Sequence, residues 1–162
     1  MLSRERFIEI VEHEYFGNMA AARPERILAL LSADAVLTGF SGALPPRIVR
    51  RQPGPGEESF DHFLGALHAD FTLAYSQFVH FVDVPEQCCA CTFRLEVHAR
   101  DAAAAEQTLV LRNSNFFRFR DGLIHEVVAY FSRPTVEIDP WAMAGRPSAM
   151  AAPTETQRPR SP

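Results

Sequence analysis

The chain has 162 residues, of which 47% are hydrophobic and 22% charged, and its formal net charge is −4. This length suits one domain of ordinary size, and the composition excludes a chain that is disordered throughout. All 16 basic residues are arginine, which excludes Schiff-base and phosphate-loop chemistry that depends on lysine. The negative charge argues against a nucleic-acid partner, because such proteins carry a clustered basic face.

The first residues show no pattern of export or membrane insertion. They read Met-Leu-Ser-Arg-Glu-Arg and lack the apolar stretch and small-residue cleavage site of a signal peptide. No stretch approaches the roughly 18 apolar residues that a membrane-spanning helix needs. We therefore expect a cytoplasmic protein that has no membrane partner.

The three cysteines, Cys88, Cys89 and Cys91, are crowded together and odd in number. Such a group suits reduced, buried thiols better than a disulfide framework. A metal site would need a fourth ligand at suitable spacing, and the sequence contains no CxxC pair. Because the six histidines are scattered as well, we predict no metal site, and the enzyme function considered below needs no cofactor.

Three helices are predicted in the first half of the chain. Apolar residues at helical spacing predict a helix over residues 3–16, with Ser3 as its N-cap. The buried stripe of this helix consists of Phe7, Ile8, Val11 and Tyr15. A second helix, with proline in its first turn, is predicted over residues 24–32, and a third over about 57–69.

The remaining segments are predicted to be mainly strands. A short strand is expected at residues 35–38, and an irregular loop or lid over 41–56, where prolines, glycines and arginines cluster. Four long strand-like runs follow at residues 71–84, 88–100, 108–120 and 123–133. Asp121-Gly122, between the last two runs, is a strong signal of a tight hairpin.

Helices followed by a run of antiparallel strands predict an α+β fold. We assign residues 1–141 to this domain. After Trp141 the composition turns to Ala, Pro, Ser, Thr and Arg with almost no apolar periodicity. Residues 142–162 are therefore predicted to be a flexible tail.

Strand alternation separates inner side chains from outer ones. In the second long run, Phe93 and Leu95 share the apolar face that we take as the inner one. In the third, Asn113 and Asn115 have the same parity as Phe117 and interrupt an apolar face. Because a buried amide without partners costs roughly 1–3 kcal/mol, each is either satisfied by neighbouring backbone or kept to meet a ligand.

The opposite face of the last two strands is also apolar. It carries Val110, Phe116, Val128 and Tyr130. This is too much apolar surface to leave in water, so a homodimer through the outer sheet face is predicted.

His80 lies in the first long run, whose two faces are both largely apolar. Alternation therefore does not place its side chain. A histidine there is either an acid/base near neutral pH or a satisfied core residue.

Two stretches carry a resemblance to a known superfamily. One is Tyr15-Phe16 followed by Pro24-Glu-Arg-Ile-Leu-Ala-Leu-Leu-Ser-Ala-Asp-Ala-Val-Leu, and the other is the closing Phe117-Arg-Phe-Arg-Asp-Gly-Leu-Ile-His-Glu-Val-Val-Ala-Tyr-Phe. Over about residues 4–133 the chain resembles the nuclear transport factor 2-like superfamily, which includes ketosteroid isomerase and SnoaL-like polyketide cyclases. The resemblance implies three N-terminal helices on a strongly curved, mainly antiparallel sheet, a cone-shaped barrel that encloses an apolar pocket. It says little about the reaction, because one fold hosts many chemistries.

The resemblance also implies roles for single residues. Tyr15 falls where ketosteroid isomerase has its oxyanion-hole tyrosine, and Asn115 where it has a protonated aspartic acid, whose hydrogen bond an amide NH₂ can donate instead. Gly39 stands at the position of the general-base aspartate, so the proton shuttle of that enzyme is not implied. Ala129 stands where the phenazine-biosynthesis members place an acidic residue. The paired aspartates of limonene epoxide hydrolase are not reproduced either.

Two functions remain open. The first is a cofactor-independent cyclase, isomerase or dehydratase that acts on a hydrophobic oxygenated metabolite of polyketide-like biosynthesis. Tyr15 and Asn115 would stabilise an oxyanion, and His80 or Glu14 would move the proton. The second is a non-catalytic small-molecule-binding or accessory protein that uses the same pocket. The pocket is predicted to be lined by Phe16, Leu64, Phe93, Leu95, Asn113, Phe117, Val127, Ala129 and Phe131.

Overall fold

The N-terminal helical segment has three consecutive parts in the computed structural model, which describes residues 1–100 and 108–132. These parts are α1 (Arg4–Ile8), a π-helix (Glu9–Phe16) and α2 (Gly17–Ala20). The Ser3 hydroxyl caps α1 by accepting from the Arg6 amide at 3.3 Å. The predicted helix and its cap are confirmed, but the π-helix was not predicted.

The second helix, α3 (Pro24–Leu28), begins on proline as predicted but ends before residue 32. The Leu30 carbonyl accepts a hydrogen bond from the Ile124 amide at 2.8 Å, and the chain continues as strand β1 (Leu31–Ser41). The predicted helix is therefore wrong for its last turn, because pairing with a distant strand overrides helix propensity.

The third helix, α4 (Phe60–Asp70), begins later than predicted. The Ser59 hydroxyl accepts from the His62 amide at 3.1 Å and so caps the helix. Residues 57–59 therefore precede the helix. Its buried face carries Phe60 and Leu64.

Two short strands lie between β1 and α4, where the sequence predicted an irregular loop followed by the start of the third helix. They are β2 (Arg47–Arg50) and β3 (Glu58–Ser59). β2 runs antiparallel to β1, buries Val49 completely and is joined to β3 by an ion pair between Arg47 and Glu58 at 2.5 Å. The prediction of an irregular loop over 41–56 is therefore wrong for residues 47–50.

The four long strands and the hairpin are confirmed. The strands are β4 (Phe71–Asp83), β5 (Cys88–Ala99), β6 (Leu109–Arg120) and β7 (Leu123–Phe131). Asp121 and Gly122 have φ angles of 52° and 80°, so both turn residues occupy the left-handed region that a tight hairpin requires.

All seven strands form one curved sheet in the order β3-β2-β1-β7-β6-β5-β4. β1 pairs with β7 and β2 pairs with β3 in parallel, and the other neighbours are antiparallel. Helices contact one face, where most of the buried core lies. The predicted α+β cone architecture is confirmed.

Among residues 1–100 and 108–132, no helix combines the length and apolar character that crossing a membrane would require. The tail predicted at 142–162 and Trp141 lie outside the described residues. So does residue 133, the predicted end of the last strand.

Candidate functional site

A line of side chains crosses the inner face of the sheet at one level. His80 of β4 pairs with Cys91 of β5, and Cys91 pairs with Asn115 of β6. Beyond Asn115 the line continues through Ala129 and Gly39, whose side chains are minimal. We call His80, Cys91 and Asn115 the inner row. Cys91 is 1% and Asn115 6% exposed, so the row is screened from water.

A β-bulge determines that His80 faces inward. Gln77, with φ of 57°, lies at an irregularity in the pairing of β4 with β5. Before the bulge, odd-numbered residues such as Leu73 are the less exposed ones, and after it the even-numbered residues are. The His80 side chain is 8% exposed. Alternation could not place this residue from the sequence, because one extra residue reverses the parity.

The π-helix covers the inner row from the opposite side. It buries Ile10, Val11, Tyr15 and Phe16 and so presents a wider stripe than the one predicted for an α-helix. π-helical turns are rare in proteins overall, and those that do occur frequently lie at functional sites. Here the turn places Glu12, Tyr15 and Phe16 toward the sheet.

The contact between the π-helix and the inner row is polar. The Oε2 atom of Glu12 lies 2.8 Å from Nε2 of His80. The other ring nitrogen, Nδ1, is buried and has no hydrogen-bond partner in the described part of the chain. The ring stacks on Phe78, with centroids 5.7 Å apart. Nε2 of His80 is therefore bound to Glu12, and Nδ1 is free to bind a ligand atom.

Glu14, which the sequence offered as an alternative to His80 for moving the proton, does not reach the inner row. Its carboxylate pairs with Arg6, and its carbonyl accepts from the Asn18 side chain at 2.5 Å. The physical reason is angular, because adjacent helical residues do not share a face. Glu12 was not predicted, although its spacing of three residues from Tyr15 and four from Phe16 would place it on the inner face of a regular α-helix.

Tyr15 is 1% exposed, and its ring lies edge-on to Phe117 with centroids 5.3 Å apart. Burial raises the pKa of its hydroxyl well above the ordinary value, and the nearby Cys91 thiol raises that pKa further. Tyr15 is therefore a hydrogen-bond donor and not a base near neutral pH. No hydrogen bond joins its hydroxyl to another residue of the described ranges.

The two amides have different surroundings. Oδ1 of Asn113 accepts from the Ser132 amide at 3.2 Å, so this side chain ties β6 to the end of β7. Oδ1 of Asn115 is buried and has no partner among the described residues. Nδ2 of Asn113 is likewise buried without a partner there, so each amide has one unpaired end, and they differ in that the oxygen of Asn113 is held by backbone whereas that of Asn115 is free.

The predicted apolar lining is mostly inside the core. Phe16, Leu64, Phe93, Leu95, Phe117, Val127 and Ala129 are buried, and Phe131 is half-buried. Phe16 lies at the centre of an aromatic cluster, with its centroid 4.5 Å from that of Phe93 and 4.8 Å from that of Tyr75. A ligand beside the inner row would contact these rings or displace them.

The three cysteines are free thiols, and Cys89 and Cys91 are buried as predicted, whereas Cys88, which was also predicted to be buried, is half-buried. Burial raises the pKa of Cys89 to about 11 and that of Cys91 further still, so neither is a ready nucleophile near neutral pH. Among the described residues, no group of three or more His, Cys, Asp or Glu side chains is arranged to hold a metal ion.

Two cavities, of about 370 and 380 Å³, open on the outer face of the sheet. Val79 lines one cavity, and Phe81 and Phe116 line the other. Together with Tyr130, these exposed apolar side chains form what we call the outer patch. Val110, which was predicted to belong to this exposed surface, is only 6% exposed. Val79 and Phe81 were not predicted here, because the bulge in β4 turns them outward.

No protein-family model matches the chain, and no curated protein matches it. A candidate polyketide cyclase from Xanthomonas campestris pv. campestris is 23% identical, with a TM-score of 0.62 over 78% of this chain and 90% of that one. PrhC from Penicillium brasilianum is 13% identical, with a TM-score of 0.63 over 79% and 81%. An LEH-like epoxide hydrolase from M. tuberculosis is 12% identical, with a TM-score of 0.58 over 78% and 83%. These likenesses establish the fold alone, which is the SnoaL-like, ketosteroid isomerase-like cone.

Proposed function

We propose that this chain, a nuclear transport factor 2-like cone, is a cofactor-independent enzyme that enolises a hydrophobic carbonyl compound as part of a cyclisation, isomerisation or dehydration. One observation carries the proposal. Oδ1 of Asn115 and Nδ1 of His80 are buried without partners in the described ranges and belong to one row of the sheet, and the Tyr15 hydroxyl, which lies over this row, makes no hydrogen bond to another described residue. Buried polar groups are normally paired, and several unpaired ones together indicate a ligand.

The chemistry needs a base and an oxyanion donor. His80 takes a proton from the carbon next to the carbonyl, and the electron pair of that C–H bond forms an enolate. The enolate oxygen accepts hydrogen bonds from the Tyr15 hydroxyl and the Asn115 amide, which turns over to present its NH₂ group. Return of the proton to another carbon isomerises the substrate. Attack of the enolate carbon on a second carbonyl closes a ring, and the alkoxide that forms takes the proton from His80. In a dehydration, the enolate expels a hydroxyl group from the β carbon, and His80 gives that group the proton, so that water leaves.

The substrate class follows from the surroundings of the row. The aromatic cluster around Phe16 offers apolar faces, and the inner row offers few polar atoms. Such a site holds a mostly apolar molecule and orients it through one or two oxygens. Similarity to candidate cyclases supports a polyketide-like metabolite, which is apolar and rich in carbonyl groups.

A non-catalytic carrier is the second candidate. The observation that favours it is the scarcity of acids at the level of the inner row, where Ala129 and Gly39 continue the line. Among the described residues, the row itself carries no carboxylate, so the proposed enzyme must use His80, which contacts Glu12 of the π-helix, as its base.

Deuterium exchange tests the proposal without knowledge of the natural substrate. A panel of cyclic ketones and β-dicarbonyl compounds is incubated with the protein in D₂O, and proton NMR follows the hydrogens next to the carbonyl. We expect exchange above the buffer rate, lost in His80→Gln. His98→Gln is the matched control, because His98 lies on the outer side of β5 with its side chain 42% exposed. Compounds that bind without any exchange would overturn catalysis and favour the carrier.

We also propose that the protein is a homodimer through the outer patch. Phe81 of β4 and Phe116 of β6 are both partners of Ala90 in β5, so they flank one small residue on the outer face. Tyr130 of β7 contacts Phe116 edge-on, at 5.9 Å between ring centroids. A twofold axis would let this apolar strip cover its own copy.

A further inference from the structure

We propose that Glu12 is a positioning residue: its carboxylate fixes the tautomer of His80, so that Nδ1 is the bare nitrogen that takes the proton. The role in proton transfer rests on the proposed function, whereas the tautomer is a property of the resting protein. Oε2 of Glu12 lies 2.8 Å from Nε2. A carboxylate only accepts hydrogen bonds, so Nε2 must donate. In a neutral imidazole, Nδ1 then carries only its lone pair.

The surroundings of the ring leave Nδ1 free. It is buried without a partner among the described residues, so no neighbouring donor occupies its lone pair. Phe78 stacks on the ring and contributes no hydrogen-bonding group. Cys91, the cross-strand neighbour, has a thiol whose pKa burial raises, so it stays neutral. Glu12 is therefore the group that orients His80.

Two irregularities of the backbone converge on this contact. The eight-residue π-helix supplies Glu12, and the bulge in β4 turns His80 inward. Without the bulge, Val79 and Phe81 would point inward in place of Phe78 and Val82, so the apolar content of the inner face would hardly change. What the bulge adds to that face is the histidine. Both kinds of irregularity concentrate at functional sites.

The same contact has a second consequence during the proposed reaction. When Nδ1 takes a proton, the ring becomes an imidazolium, and the carboxylate at Nε2 is placed to stabilise that charge. A general base contributes about 10²–10⁴-fold to a rate. Loss of Glu12, which orients this base, should therefore slow deuterium exchange by roughly tenfold or more.

Long-range ¹H–¹⁵N NMR of the labelled, full-length protein reads the tautomer directly, with His80→Gln used to assign the signals. We expect wild-type His80 to carry its proton on Nε2. Glu12→Leu should give a mixture of tautomers, and Glu12→Gln, whose amide oxygen still accepts, should keep the wild-type one. Glu9→Leu is the matched control, because Glu9 lies on the same helix, pairs with Arg6 and has its side chain 58% exposed.

A wild-type proton on Nδ1 would overturn the inference, and this result needs no variant to fold. An unchanged tautomer in a folded Glu12→Leu protein, verified by near-ultraviolet circular dichroism, would also overturn it. The exchange assay separates the two proposals. If wild type exchanges nothing but Glu12→Leu shifts the tautomer, the proposed function fails and the positioning role stands. If Glu12→Gln keeps both the tautomer and the full exchange rate, stabilisation of the imidazolium by charge is wrong.

Discussion

Replacing Tyr15 by phenylalanine separates catalysis from stability. The side chain is 1% exposed, and its ring packs against Phe16 and Phe117 at centroid distances of 5.2 and 5.3 Å. Phenylalanine keeps all of this packing and removes only the oxygen. Because that oxygen makes no hydrogen bond to another described residue, its loss frees no buried partner. We expect the free energy of unfolding to stay within about 1 kcal/mol of wild type, or to rise.

The rate of deuterium exchange, by contrast, should fall strongly in Tyr15→Phe. Removing one donor from an oxyanion hole costs about 2.7–4 kcal/mol of transition-state stabilisation, which is roughly 10²–10³ in rate. The deuterium-exchange assay measures this loss, and urea unfolding measures stability on the same sample. Tyr130→Phe is the matched control, since that hydroxyl belongs to the outer patch. A Tyr15→Phe protein that exchanges at the full rate, or that loses several kcal/mol of stability, would refute this reasoning.

Three further predictions use other parts of the structure. Asn115→Leu should abolish deuterium exchange with little change in the free energy of unfolding. Asn113→Leu should lower the free energy of unfolding by about 1–3 kcal/mol, because the Ser132 amide loses its acceptor. Equal effects of the two variants on exchange and on urea unfolding would contradict this difference. Phe116→Glu should convert a dimer to a monomer in sedimentation at micromolar concentration, with stability changed by about 0.5 kcal/mol or less, since this side chain is half exposed; a wild-type monomer would remove the dimer. Iodoacetamide should alkylate Cys89 slowly at pH 8 and faster as the pH approaches 11, because burial raises its pKa to about 11 and only the thiolate reacts; rapid labelling at pH 8, located by mass spectrometry, would be inconsistent with that burial.

Local signals predicted the long strands and the last hairpin, because alternation and Asp121-Gly122 depend on neighbouring residues alone. The errors have distant causes. The end of α3 is set by a hydrogen bond from Ile124 to Leu30, across most of the chain. β2 forms because β1 offers it an edge, and Val49 alone among its residues is buried. In both cases the pairing partner lies outside the segment whose structure it determines, so the sequence of that segment alone does not indicate it.

The candidate site divides in the same way. Burial of Tyr15 and Asn115 on the inner side could be predicted, because periodicity places both on apolar faces. The orientation of His80 could not, since the bulge before it leaves no clear signature in the sequence. Glu12 had a usable signal in its spacing of three residues from Tyr15 and four from Phe16, but only contact with the strand shows which residue it meets.

The neutral character of the inner row suits the proposed reaction. A carboxylate at the position of Gly39 or Ala129 would be a strong base, but its charge would oppose the enolate forming nearby at low dielectric. Here the acid that partners the base lies on the other side of the imidazole, and its side chain is 30% exposed. In the proposed reaction, negative charge would develop beside the Tyr15 and Asn115 donors, and the positive charge on His80 would lie between the enolate and Glu12. The charges would then alternate in sign along the path of the proton, and this alternation would lower the barrier to separating charge inside an apolar core.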